Sequence, residues 1–200
     1  MNERTLSKSE LTREAFLDTA LQEASMTGIA RLTLAPLAAA AGRSKGGLLR
    51  YFPSKESLRI AVLDHAFRRF RELILVPAQA APAGLPRLRA TLELWLTWID
   101  RAGLQGGCPL LCAQQEFDDE QNQVREHLRQ ATAEWNNYLV HQARKAADAG
   151  QLPAGLAPEA VVMVMQGLVS AAQMERRLLG RKQVNARAMQ AFDQLTQPQP

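Results

Sequence analysis

Long apolar runs are missing from this chain. No stretch of eighteen or more uninterrupted apolar residues occurs, so no membrane-spanning helix is expected. The amino terminus, MNERTLSKSELTRE, lacks the apolar core of a signal peptide, and a cytoplasmic protein follows as the expectation. Cysteine is scarce. Cys108 and Cys112 are too few for a disulfide framework and lack the companion pairs of a zinc site, so reduced thiols are expected. The three histidines, His65, His127 and His141, form no ligand-spaced set, and neither a phosphate loop nor a nucleophile elbow appears. The acidic run EFDDE at Glu116 to Glu120 lacks calcium-loop spacing and reads as a solvated helix junction. These absences count against an enzyme, a resident metal and a cofactor. What remains is 46% hydrophobic and 22% charged, ordinary for a globular protein and too apolar for disorder.

One sign of charge is also missing locally. Between Arg31 and Lys55 there is no acidic residue, while Arg43, Lys45 and Arg50 fall inside that interval. The net charge of +4 therefore has a place: residues 1–75 carry all of the excess, and residues 76–200 balance to zero. A basic patch of this kind is the electrostatic footprint of a surface that meets phosphates, although a merely solvated face has the same composition.

Periodicity puts the patch on a scaffold. Ser7 to Glu10 has capping-box spacing, and Leu11, Ala15, Phe16, Thr19, Ala20 and Ala24 recur at three and four, predicting a first helix that stops near Gly28. Thr33 can cap a short second helix that tolerates Pro36 in its first turn and runs through PLAAAA to Gly42. Ser44 can cap a third, SKGGLLRYF, and Pro53-Ser54 closes it and caps a fourth from Lys55 to about Val76. Two short helices across the tight AGR turn form a helix-turn-helix. The alanines let one helix lie close to the next, and Phe52, Leu37, Leu48, Leu34 and Leu58 read as the core holding them. Gly46 and Gly47 inside the third helix each cost about 1 kcal/mol relative to alanine, which suits a backbone that must approach another surface. With Arg43, Lys45 and Arg50 beside them, that surface would be the DNA major groove, with a glycine-weakened loop as the alternative.

The stretch LTLAPLAAAAGRSKGGLLRYFPSKESL, Leu32 to Leu58, resembles the DNA-binding signature of the TetR family of bacterial transcriptional regulators. The resemblance implies an all-α chain with a three-helix helix-turn-helix DNA-binding head and a helical-bundle body that binds a ligand and dimerises. It implies that Ser44, Lys45, Gly46 and Gly47 open the recognition helix, that Tyr51 lies toward its end, and that Thr33 and Lys55 contact backbone phosphates. Arg43 stands where members usually carry an apolar residue, and Leu49-Arg50 where tyrosine or histidine is usual, so the operator is not readable by analogy. On chemistry alone, Arg43, Lys45 and Arg50 can attract phosphates or pair with guanine, and Tyr51 can donate to a phosphate oxygen. A nucleic-acid binder indifferent to sequence is the rival; it predicts equal affinity for random and operator DNA.

Residues 1–58 are thus expected to form the DNA-binding domain, 59–76 a connecting helix, and 77–200 an effector-binding and dimerisation domain, with PAQAAPAGLPR as the break. The body reads as helices over Pro86 to Arg101, Pro109 to Phe117, Asp119 to Ala149, Pro158 to Leu179 and Val184 to Leu195. The last two are apolar over more than one narrow face and need cover on both sides, and the resemblance implies a homodimer through them. Two heads about 34 Å apart would then read successive major grooves of a near-palindromic operator. Trp95, Trp98, Cys108, Leu111, Cys112, Phe117, Trp135, Met163 and Met174 are candidate lining for an effector pocket, with ordinary core packing as the alternative. Cys108 and Cys112, four apart, also permit a thiol- or metal-responsive regulator.

Overall fold

The computed structural model describes residues 7–40, 42 and 44–197, with the side chains of Ala40 and Lys45 outside that description. Among the described residues every regular element is helical: α1 (Lys8–Thr27), α2 (Leu34–Ala40), α3 (Lys45–Leu49), α4 (Lys55–Phe70), a π-helical turn (Arg71–Leu75), α5 (Val76–Ala78), α6 (Leu85–Leu96), α7 (Trp98–Arg101), α8 (Pro109–Glu116), α9 (Gln123–Asp148), α10 (Pro158–Arg177) and α11 (Val184–Thr196). They divide into two compact units, residues 1–68 with 104–128, and residues 69–103 with 129–200. Residues 104–128, which the sequence places in the body, thus group with the amino-terminal helices.

Local chemistry explains the first unit. The capping box at the start of α1 is complete: Ser7 Oγ accepts from Glu10 N–H, and the Glu10 carboxylate accepts from Ser7 N–H at 2.8 Å. α1 stops at Gly28, whose φ of +90° excludes most other residues. Gly42, at φ +61°, turns the chain between α2 and α3. At the start of α4, Ser54 Oγ accepts from Ser57 N–H (3.0 Å), while Ser57 Oγ accepts from Ser54 N–H (2.9 Å). Phe16, Leu17, Leu21, Leu37, Leu48, Phe52 and Leu58 are all buried, and each contributes roughly 1.5–3 kcal/mol by leaving water. Leu34 is only half-buried.

In the second unit, α10 packs on α11 and on α6, and α6 on α11, around Ile74, Leu88, Leu92, Leu139, Val161, Met165 and Phe192, all fully buried. Glutamine side chains supply acceptors for the free amides where α6 begins: Gln142 Oε1 takes Gly84 N–H at 3.3 Å and Gln151 Oε1 takes Leu85 N–H at 2.9 Å. Arg89 clamps α6 to α11 through two bonds to Asp193, 2.8 and 2.9 Å. The helix predicted from Asp119 to Ala149 begins only at Gln123, and two further expectations change in detail. The helix predicted to about Val76 passes through the π-helical turn after Phe70, and the helix predicted over Pro86 to Arg101 is interrupted at Thr97, which has left the helical region at φ −111°.

Candidate nucleic-acid interface

The third helix is built as its sequence suggests at the start and differently at the end. Ser44 has extended backbone (φ −78°, ψ 147°), and its Oγ accepts from Gly47 N–H at 3.2 Å. Leu48 turns inward with Phe52, whose ring lies 5.5 Å from that of Phe16. That anchoring leaves Gly46 and Gly47 exposed. A Cβ added at Gly46 would meet nothing within 4 Å, and one at Gly47 would touch only Ser44 Oγ at 3.3 Å. Packing within the head therefore does not require the glycine at 46, whereas a Cβ at 47 would press on the capping oxygen. Arg50 and Tyr51, predicted inside the helix, lie in the turn after Leu49, where the amides of Tyr51 and Phe52 both bond Leu48 O at 2.9 Å. Two glycines weaken the helix, and Pro53 disfavours helical backbone at Phe52, so it closes early.

Thr33 immediately precedes α2, Lys55 opens α4, and both are exposed, as are Ser44 and Arg50. The backbone of Lys45 opens α3. Arg43 and the side chain of Lys45 lie outside the described residues. Tyr51 is half-buried, its hydroxyl 3.1 Å from Ser9 Oγ. A cleft of about 570 Å³ lies there between α1 and α3, rimmed by Lys8, Ser9, Thr12, Ser44, Arg50 and Tyr51. The sequence reading missed the α1 side of this cleft; the signal was the i,i+4 spacing of Lys8 and Thr12 on one polar face.

A clasp that the sequence does not announce holds the turn before α2. Glu116, at the end of α8, accepts from Ala30 N–H at 3.0 Å, and its carboxylate fills the space that a Cβ on Gly28 would need. Arg59 of α4 donates to Ala30 O and lies over the Phe117 ring at 5.6 Å. Burial lowers the Arg59 pKa from its ordinary value, and Glu116, Glu120 and Glu56 act against that shift. At the other end of the same segment, Gly107 N–H donates to Ser25 O at 2.7 Å and Gly106 N–H to Ser25 Oγ at 3.1 Å, so a side chain on Gly106 would collide with the end of α1.

The candidate pocket residues are divided between the two units. Cys108, Leu111, Cys112 and Phe117 belong to the first unit, where Cys108 Sγ caps α8 by accepting from Leu111 N–H at 3.4 Å. Trp95, Trp98 and Trp135 come together in the second unit around Phe70. Met163, 73% exposed, and Met174, 47% exposed, lie on the outer side of α10 rather than in that cluster, because Val162, Met165 and Val169 take its inward face. Among the described residues no group of three His, Cys, Asp or Glu side chains is placed to hold a metal ion, and no helix is long and apolar enough to cross a membrane.

Comparison with known proteins agrees with this geometry. Residues 16–62 match the model of bacterial regulatory proteins of the tetR family, and residues 84–192 match the tetracyclin repressor-like C-terminal domain. The HTH-type transcriptional regulator TtgR of Pseudomonas putida is 25% identical over 168 residues, which span 82% of this chain and 80% of that protein. A TetR transcriptional regulator from Chloroflexus aurantiacus superposes with a TM-score of 0.83 at 25% identity, covering 94% of this chain and 96% of the other. A TetR-family regulator from Cytophaga hutchinsonii shares the fold, with a TM-score of 0.78 at 22% identity over 96% of each chain.

Proposed function

The chain belongs to the TetR family of transcriptional regulators, and from that premise we propose that it is a repressor which grips a near-palindromic operator as a homodimer and lets go when a small molecule binds. Its work is control of transcription, not catalysis. The observation that carries the DNA-binding half is the exposed, Ser44-capped α3, whose Gly46 has open space where a side chain would stand. A helix bared in this way admits its backbone to a major groove. In this reading Ser44, Lys45, Gly46 and Gly47 enter the groove, Arg43 and Arg50 add phosphate attraction or guanine contacts, and Thr33, Tyr51 and Lys55 hold the backbone on either side. Cytoplasmic DNA is the setting.

Dimerisation is supported by Met163, Leu178 (78% exposed) and Leu179 (50% exposed) on and just beyond α10, apolar groups that a second copy would cover. Effector and operator are then linked: a ligand that favours the arrangement unable to bind DNA must itself bind less tightly to the DNA complex.

Footprinting on the DNA upstream of its own coding region tests this reading. Protection of a near-palindrome is expected, lost when Lys45→Ala and Tyr51→Ala are combined while the dimer persists on size exclusion. A double variant that still protects the site would overturn the placement of the recognition helix. Equal affinity for random DNA would overturn the operator.

A further inference from the structure

Resting on the reading of α3 as the DNA-contacting helix, we propose that the cleft between α1 and α3 is a ligand site in the head itself, that it takes a free mononucleotide, and that nucleotide and operator exclude one another. The cleft holds about 570 Å³, a volume typical of small-molecule sites. Its α1 wall is one stripe of that helix, Lys8, Thr12, Ala15 and Thr19, spaced by three and four. Ser44, Gly47 and Tyr51 line the opposite side, where Gly47 contributes backbone alone. Phe16 and Leu48, both buried, lie beneath. The Tyr51 hydroxyl ties the two sides together at 3.1 Å from Ser9 Oγ.

The charge of the cleft is one-sided. Lys8 and Arg50 line it, no carboxylate does, and neither cation is paired with another side chain among the described residues. The acids on the same stretch of α1 are engaged elsewhere: Glu10 by Ser7 N–H, Glu14 by Arg68, and Asp18 by His65 Nε2 at 2.8 Å. An anion is what the two cations attract. Ser44 Oγ accepts from Gly47 N–H and keeps its own hydrogen to donate, and of the Ser9 and Tyr51 hydroxyls one hydrogen is likewise free, so a phosphate finds donors beside the charges. Phosphate alone leaves the apolar side unused. The exposed Ala15, Phe16, Leu48 and the half-buried Tyr51 ring suit a flat base, stacked as in sites for single-stranded nucleic acid. Duplex DNA offers its phosphates to the rim but keeps its bases stacked inside, so the occupant that uses both features is a free nucleotide. Ser44, Arg50 and Tyr51 are also among the proposed operator contacts, and a nucleotide seated on them takes donors that the DNA needs. The head then carries its own route to release.

The test uses the full-length protein and four probes: adenosine 5′-monophosphate, adenosine, ribose 5-phosphate and inorganic phosphate. Ionic strength is held constant, because salt by itself weakens protein–DNA contacts. Binding is read from the amide resonances of Thr12 and Gly47 in a proton–nitrogen spectrum, and release from the operator footprint. The mononucleotide is expected to bind at least ~10-fold tighter than each of the other probes, to shift both amides, and to erase the footprint. Ala15→Trp puts a ring into the cleft from an exposed position of α1; it should abolish both effects and leave the nucleotide-free footprint unchanged. Thr19→Phe supplies the same block should Ala15→Trp not fold. Lys8→Gln should lower affinity for the mononucleotide several-fold and leave that for adenosine unchanged. Adenosine or ribose 5-phosphate binding as tightly as the mononucleotide, amides unmoved at saturation, or a folded blocking variant that still binds would overturn the proposal. So would a saturated cleft with the footprint intact, since nucleotide and operator would then not compete. Failure of the DNA reading looks different: no site is protected even without nucleotide, which defeats the competition, while the amide shifts still decide whether the cleft takes the nucleotide.

Discussion

The helix-turn-helix and the tryptophan cluster treat their polar atoms in opposite ways. In the head, helix starts are closed by neighbours a few residues off: Ser7 with Glu10, Ser44 with Gly47, Ser54 with Ser57. In the cluster, the indole N–H groups of Trp98 and Trp135 are buried with no acceptor of their own. A head with its own caps satisfied can present a bare backbone to a rigid, external partner. The same contrast appears in apolar content, since the head is held by single side chains on short helices while the cluster joins four large rings.

Breaking the second region should therefore cost most. Phe70→Ala removes the ring that Trp95, Trp98 and Trp135 share, and a loss of about 3–5 kcal/mol is expected in denaturant melts, since buried aromatics leave cavities that their neighbours fill incompletely. A loss no larger than that of a helix cap would mean that the cluster is not a core. The clasp comes next. Glu116→Ala leaves Ala30 N–H without its acceptor and removes a carboxylate facing Arg59, so about 1–3 kcal/mol is expected in the melting of the first unit. Glu116→Gln, which keeps an acceptor oxygen, should recover part of it; an unchanged melting temperature in both would show that the turn before α2 holds without α8. Smaller again is Ser44→Ala, about 1 kcal/mol from the lost α3 cap, seen as weaker amide protection at Gly47.

What was legible in the sequence follows the same division. The caps at Ser7, Ser44 and Ser54, the left-handed Gly42 and the stop at Gly28 involve residues within four of each other, so spacing alone reveals them. The Glu116 bond to Ala30 spans 86 positions and the Tyr51 contact with Ser9 spans 42, and no periodicity encodes either. Apolar spacing marks a helix face as inward or outward only when one face is apolar. α10 is apolar on several, which is why Met163 and Met174 read as pocket lining in the sequence while Val162, Met165 and Val169 take the inward positions. Trp95, Trp98 and Trp135 stand out in the sequence as large side chains, but their convergence on Phe70 joins the end of α4 with α6, α7 and α9 and required the fold. The π-helical turn has no local signature in RELIL at all.

The smallest expected effect discriminates best between a head shaped for its own stability and one shaped for DNA. Gly46 is the second residue of α3, in the turn that Ser44 caps, and has nothing within 4 Å of where a Cβ would go. By helix propensity, Gly46→Ala should stabilise the head by up to about 1 kcal/mol, and no clash subtracts from the gain. If the glycine is there to let the α3 backbone approach base edges, the same methyl group stands between protein and groove, and operator affinity falls several-fold while the melting temperature rises. Stability and binding must then move in opposite directions. If both rise together, α3 does not enter the groove by this face, and the glycine has no role that the structure explains.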